Sequence, residues 1–361
     1  MEAWEKVILN QEAFFETVHG RYGCITCHGG SGGTDDKEAA HQGLVREPAS
    51  AEACGDCHID QVASEPDSLH FTLAGYTTVL AARSAPDKMA QLDTMMENHC
   101  DKCHTTCGQC HVSRPTNLGG GLVAGHEFKQ IPPMNLTCTG CHGSRIENEY
   151  KGKNEGVRAD VHWIKGGLAC FACHSADEMH GALGEFDHRY DGPPTPGCQE
   201  AECHPNVAPG DGIANHTEAH FEAMSCQVCH STTYKNCYSC HVGQQDGAAF
   251  FKTEPSQMLF KIGRNRLQGP DRPWKYVPVR HVPIDRESFA YYGDDLLPNF
   301  DALPTWKYAT PHNIQRNTPQ TETCNSCHGN AELFLIADDL APDELEANKD
   351  VIVKEIPFPM P

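Results

Sequence analysis

No stretch of these 361 residues is apolar for long enough to cross a bilayer as a helix, which takes about 20 residues. Positive charge is also scarce: 28 Lys and Arg face 49 Asp and Glu, for a formal net charge of −21. That balance argues against nucleic acid or an anionic membrane surface as partner, and is easier to reconcile with basic proteins, metal ions or mineral surfaces. The opening MEAWEKVILN lacks the basic start and apolar middle of a secretion signal. Nor does any cysteine fall outside one repeated pattern, so none is spare for a structural disulfide or a catalytic thiol.

The pattern is Cys-x-x-Cys-His. It occurs as Cys24/Cys27/His28, Cys54/Cys57/His58, Cys100/Cys103/His104, Cys107/Cys110/His111, Cys138/Cys141/His142 and Cys170/Cys173/His174. It continues as Cys226/Cys229/His230, Cys237/Cys240/His241 and Cys324/Cys327/His328. A tenth copy, Cys198-Gln-Glu-Ala-Glu-Cys203-His204, has four residues between the thiols, and the ten together use all 20 cysteines. At this spacing two thiols form thioether bonds to one haem and the adjacent histidine coordinates its iron. Zinc ribbons need two cysteine pairs per metal and give no reason for a histidine after every second cysteine. A disulfide framework leaves the same histidines unexplained. Ten covalently attached haems c are therefore expected. They crowd most at CDKCHTTCGQCH, where Cys103 and Cys107 are separated by at most about 14 Å of extended chain.

From Cys24 to His328 the arrangement resembles the multihaem c-type cytochromes of anaerobic respiration and extracellular electron transfer. The four-residue variant is similar to attachment sites in multihaem cytochromes of sulfate-reducing bacteria. In that family the haem is attached outside the cytoplasm. The resemblance thus implies a periplasmic or cell-surface protein, with a secretion signal outside the numbered sequence.

About 36 residues per haem is too little chain to build an ordinary apolar core and also wrap each porphyrin, so the haems are expected to be the core. With 32 Gly and 24 Pro, the chain reads as mostly irregular coil with short α-helices wrapped around a closely packed chain of haems, and little β. Motif spacing suggests a four-haem segment in 1–115, a five-haem segment in 116–245, and a C-terminal wrapping segment with the last haem in 246–361. Trp4, Val7, Ile8, Phe15 and Val18 lie at roughly helical spacing and lead to His19. APDKMAQLDTMMENH predicts a helix capped near Asp87, with Met89, Leu92, Met95 or Met96 and His99 on one stripe. Residues 242–323 carry no motif but many aromatics, read as covers for haems anchored elsewhere.

Ten of the 22 histidines lie in motifs. The other 12 are His19, His41, His70, His99, His126, His162, His180, His188, His216, His220, His281 and His312. Ten haems need ten second ligands, so the supply exceeds the demand by two. His188, set among Asp187, Arg189 and Asp191, reads as a surface residue, leaving eleven candidate distal ligands. A haem held by two histidines keeps a low potential and has no open position, which suits outer-sphere electron transfer. The expected protein is a decahaem electron carrier without catalytic residues, serving redox protein partners or an extracellular acceptor. Two alternatives stand beside it. One is the subunit of a self-associating cytochrome filament, in which the haem chain continues across interfaces. The other is a reductase of a small nitrogen or sulfur oxyanion with one open haem, the terminal haems at His28 and His328 being the places to look.

Overall fold

The computed structural model describes residues 9–101, 105–115, 118–191, 196–200, 202–238, 241–245, 248–252 and 256–361, with the backbone alone for 241, 243–245 and 248–252. Helix and coil dominate and strands are few. The helices are short because the sequence interrupts them: Gly29, for instance, ends Ile25–His28 in a left-handed conformation (φ 68°) that a Cβ would disfavour. The expected helix near the first doublet forms as Met89–His99, with Leu92, Met95 and Met96 buried. Near the N-terminus, Asn10 caps Gln11–Glu16 and a tight turn over His19–Tyr22 follows, whereas Trp4, Val7 and Ile8 lie outside the described residues. Among the described residues no helix is long and apolar enough to cross a membrane.

Seven strands are described: β1 (Tyr234–Lys235), β2 (His241–Gln245), β3 (Ala248–Lys252), β4 (Met258–Leu259), β5 (Lys261–Arg264), β6 (Tyr276–His281) and β7 (Trp306–Tyr308). They pair antiparallel as β1 with β4, β2 with β3, and a three-stranded sheet in the order β5-β6-β7. The register sets Gly263 opposite Val277, and Val279 opposite both Lys261 and Tyr308.

The chain forms two compact units, each drawn from three separate stretches: 1–75, 100–143 and 170–189 in the first, and 76–99, 144–169 and 190–361 in the second. The second unit corrects the expectation that haems alone would supply the core. Val277, Val279, Trp306, Tyr308, Leu335, Leu340 and Val351 pack as one buried cluster, and Val228, Tyr234, Phe260, Ile262, Ala309, Phe334 and Val353 as another. Trp306, Tyr308 and Phe260, read from sequence as haem covers, are thus sheet core. The physical reason is local: 246–361 contains a single motif, so its apolar residues are dense enough to bury one another. The first unit is the opposite case. Six motifs fall within it, yet its described buried apolar side chains are Phe14, Val112, Pro115 and Met134 alone. Four such side chains cannot hold a unit of this length together by hydrophobic burial.

Candidate metal centres

Where the described residues cover a motif, it folds as one helical turn, which sets its first and second cysteine on one face with the histidine directly after. The turn closes when the histidine N–H reaches the carbonyl of the first cysteine: His28 to Cys24, His58 to Cys54, His142 to Cys138, His174 to Cys170 and His328 to Cys324, all at 2.8–3.0 Å. The variant closes the same way. His204 N–H bonds to Cys198 O at 3.2 Å, so the longer spacing leaves the histidine on its first cysteine. Thr106 and Thr323 cap the turns that begin at Cys107 and Cys324.

Seven motif histidines each face a histidine from outside the motifs. His58 faces His19 with ring centres 6.2 Å apart, His28 faces His126 at 5.9 Å, His142 faces His70 at 6.1 Å and His111 faces His180 at 6.1 Å. In the second unit His204 faces His162 at 6.1 Å, His230 faces His216 at 6.3 Å and His328 faces His220 at 6.1 Å. This narrow range is informative. A ring nitrogen lies about 1.1 Å from its ring centre and binds a first-row metal ion at about 2.0 Å, so two imidazoles on opposite sides of one metal have centres about 6.2 Å apart. Hydrogen-bonded rings would approach to about 5 Å and stacked rings closer still. Among the described residues no three of His, Cys, Asp and Glu converge as a ligand set. The histidines come in twos.

The second ring nitrogen is commonly anchored, as it is in metal-bound histidines. Nδ1 of His28 bonds to Val45 O (2.8 Å), that of His111 to Lys129 O (2.6 Å), that of His230 to Gln315 O (3.0 Å) and that of His328 to Phe358 O (3.1 Å). Among the facing histidines, Nδ1 of His220 bonds to Asn215 O (2.8 Å), that of His162 to Asp160 Oδ1 (2.8 Å) and that of His216 to Asp211 Oδ2 (2.6 Å). In the pairs His230/His216 and His328/His220 both Nδ1 atoms are turned to protein acceptors, leaving Nε2 to a metal. Burial lowers the pKa of His19, His70, His126 and His180, and burial with neighbouring His70, His174 and Arg189 brings His142 down to about 4. These rings stay neutral, the form that ligates metal. The carboxylates beside His162 and His174 raise theirs.

The cysteines of successive motifs adjoin. In the first unit the thiols of Cys54 and Cys107 are in hydrogen-bond contact, as are those of Cys138 and Cys170. Burial, together with Cys54, raises the pKa of Cys27, and burial, together with Cys141, raises that of Cys110. The sites therefore follow the order Cys24/Cys27, Cys54/Cys57, Cys107/Cys110, Cys138/Cys141, Cys170/Cys173. In the second unit Cys198 contacts Cys226, while burial and nearby Cys327 bring Cys229 up to about 11. That order is Cys198/Cys203, Cys226/Cys229, Cys324/Cys327. Buried polar atoms without partners occur beside the motifs: Arg114 Nε, three residues after His111, Thr137 Oγ1, just before Cys138, and Ser225 Oγ, just before Cys226. A group carrying carboxylates, such as a haem with its propionates, fits such orphaned donors.

Six of the described motif cysteines are exposed. Cys57 is exposed and Cys173 is exposed, as are Cys24, Cys198, Cys203 and Cys324, whereas the remaining described motif cysteines are partly buried. At Cys57 and Cys173 the reason is local. In these two motifs the first cysteine, Cys54 or Cys170, is the one turned to the thiol of a neighbouring motif, and Cys57 and Cys173 come at the far end of their short turns. A thioether needs only one edge of a porphyrin, so an exposed thiol keeps the chemistry the motif requires.

The other candidates are placed differently. Cys103, His104 and Cys240 lie outside the described residues, as does the His241 side chain, while Cys100 and Cys237 are partly buried. Nδ1 of His174 meets the Glu178 carboxylate at 3.0–3.1 Å. Nδ1 of His41 bonds to Lys37 O, and that of His312 to Thr310 O. Nε2 of His99 lies 2.7 Å from Tyr292 Oη. His281 stacks on Trp306 and sets Nε2 2.6 Å from Glu344 Oε1, a carboxylate contact that its sequence position did not signal. Comparison with protein-family models, with curated proteins and with solved structures finds no match for this chain.

Proposed function

We propose that the protein is a decahaem c-type cytochrome, an electron carrier of low potential working outside the cytoplasm. The observation that carries this reading is the set of seven facing histidine pairs, each joining a motif to a histidine elsewhere at the separation of two axial ligands. The paucity of buried apolar side chains in a first unit with six motifs, and the closure of the variant turn at Cys198–His204, support it independently. When bound, haem iron supplies reversible one-electron exchange between its ferric and ferrous states.

The chain's own residues do the rest. Paired cysteines would fix each porphyrin, and the motif histidines together with His19, His70, His126, His162, His180, His216 and His220 would hold its iron. Anchored Nδ1 atoms hold the rings in line, and two histidines on one iron would leave no open position for a substrate. The adjoining cysteines bring consecutive sites within each unit close together, as electron hopping requires. Intact-mass analysis of protein matured in a host with haem-attachment machinery tests the proposal: ten haem additions per chain, retained under denaturing and reducing conditions, are expected. A mass showing unmodified thiols, Cys57 and Cys173 included, or disulfides joining Cys54 to Cys107 and Cys138 to Cys170, would sink it.

A further inference from the structure

Among the described histidines of the seven pairs, one ring nitrogen is both buried and without a hydrogen-bond partner. His28 is held by Val45 O, but Nδ1 of its partner His126 is buried and has no hydrogen-bond partner. Its own carbonyl acts on the ring without hydrogen-bond geometry. Around it stand the edges of Phe14, at 4.9 Å and 75°, and Phe128, at 5.6 Å and 64°, which offer no acceptor. The backbone is unusual as well. His126 has φ 74° next to Gly125 at 59°, a left-handed conformation that a residue with a Cβ adopts only at a cost.

Both features weaken a ligand. The hydrogen bond from the second ring nitrogen fixes orientation and raises basicity, and its loss typically costs 10- to 100-fold in metal affinity. An attached His126 also carries a buried unsatisfied donor and a strained backbone, and release relieves both. His162, His216 and His220, tied to Asp160, Asp211 and Asn215, carry neither burden. The site is accessible, since Cys24 is exposed and lies at one end of the order of sites in its unit.

We infer that the haem at Cys24/Cys27 is the one whose distal ligand exchanges, and that this site takes up small neutral π-acceptor molecules of the carbon monoxide and nitric oxide type at reduced iron. The inference rests on reading His28 and His126 as axial ligands of one haem. The test titrates dithionite-reduced, full-length protein with carbon monoxide and refers the Soret difference to total haem measured as pyridine haemochrome. One carbon monoxide per chain is expected. His126→Ala keeps the count at one and speeds association roughly 10- to 100-fold, because the competing ring is gone. His162→Ala, which removes an anchored ligand, raises the count to two. His126→Met, which keeps a ligand in place, guards against misfolding and must also change the association rate. No binding to the wild type, a count of two in His126→Ala, or an unchanged rate in His126→Met overturns the inference. Absence of covalent haem in the pyridine assay overturns the underlying reading instead, before any gas is added.

Discussion

Replacing Asp160 by Asn tests whether the carboxylate behind His162 tunes one site. Asp160 is 2% exposed. Its Oδ1 accepts hydrogen bonds from both the backbone N–H and Nδ1 of His162, each at 2.8 Å, and its Oδ2 accepts from Ile314 N–H at 2.7 Å. Asn keeps the shape and one acceptor oxygen, but loses the charge and turns a donor toward a donor. A carboxylate on Nδ1–H makes imidazole a stronger donor and favours ferric over ferrous iron, so its loss raises the potential. A tenfold change in that preference, the low end for such outer-shell groups, corresponds to about 59 mV for one electron. One midpoint potential, that of the haem at Cys198/Cys203, should rise by about 60 mV or more while the others stay in place. The orphaned donor costs about 1–3 kcal/mol of stability, enough to register in denaturant unfolding. The assay is a potentiometric titration followed by electron paramagnetic resonance on the resolved signal of that haem. An unchanged or lowered potential in a folded variant refutes His162 as a ligand.

Three further outcomes follow from the structure. Burial, with His70, His174 and Arg189 nearby, holds the His142 ring below its ordinary value of 6.5, so as pH falls the unfolded state takes a proton that the folded state refuses. Denaturant unfolding at pH 7, 5 and 4 should show stability declining toward acid. Glu149, fully buried, takes Arg280 and the His312 N–H (3.0 Å) on its carboxylate. Glu149→Ala strands the Arg280 charge and should cost about 3–5 kcal/mol, whereas Glu149→Ala with Arg280→Met should cost less; equal losses would contradict a charge effect. Gly181 follows His180 at φ 78°, and a Cβ there would lie 2.3 Å from Ser64 O and 2.6 Å from Ser68 N. Gly181→Ala should displace His180, converting the haem at Cys107/Cys110 to high spin; a wholly low-spin spectrum would count against the pairing of His180 with His111.

The sequence carried the local chemistry well and the long-range chemistry poorly. Motif turns are legible because four or five residues determine them, and the variant at Cys198 could be read as one more copy from its terminal Cys-His. Which thiols face a neighbouring motif and which, like Cys57 and Cys173, face outward was not legible, since exposure is set by what packs against the turn. The seven histidines that face a motif all come from the eleven candidates. Which histidine meets which motif was not legible: His126 reaches back to His28, and His70 forward to His142, through tertiary folding that no spacing encodes. Neither unit is a continuous stretch, so no cut along the sequence returns them. The sheet was missed for a physical reason. β6 reads Tyr-Val-Pro-Val-Arg-His, with Val277, Pro278 and Val279 all buried and a proline in a central strand, so it shows neither the alternation nor the composition that usually signals one. His281 looked like a ligand among ligands, and only tertiary structure brings Glu344 to its Nε2.

The central claim is that histidine pairs hold iron from both sides. Electron paramagnetic resonance of the fully oxidised, dispersed protein, with integrated low-spin and high-spin ferric signals referred to protein concentration, tests it most directly. Ten low-spin ferric centres per chain, one for each motif, are expected. Iron that is absent, or held mainly as high-spin centres, would contradict it.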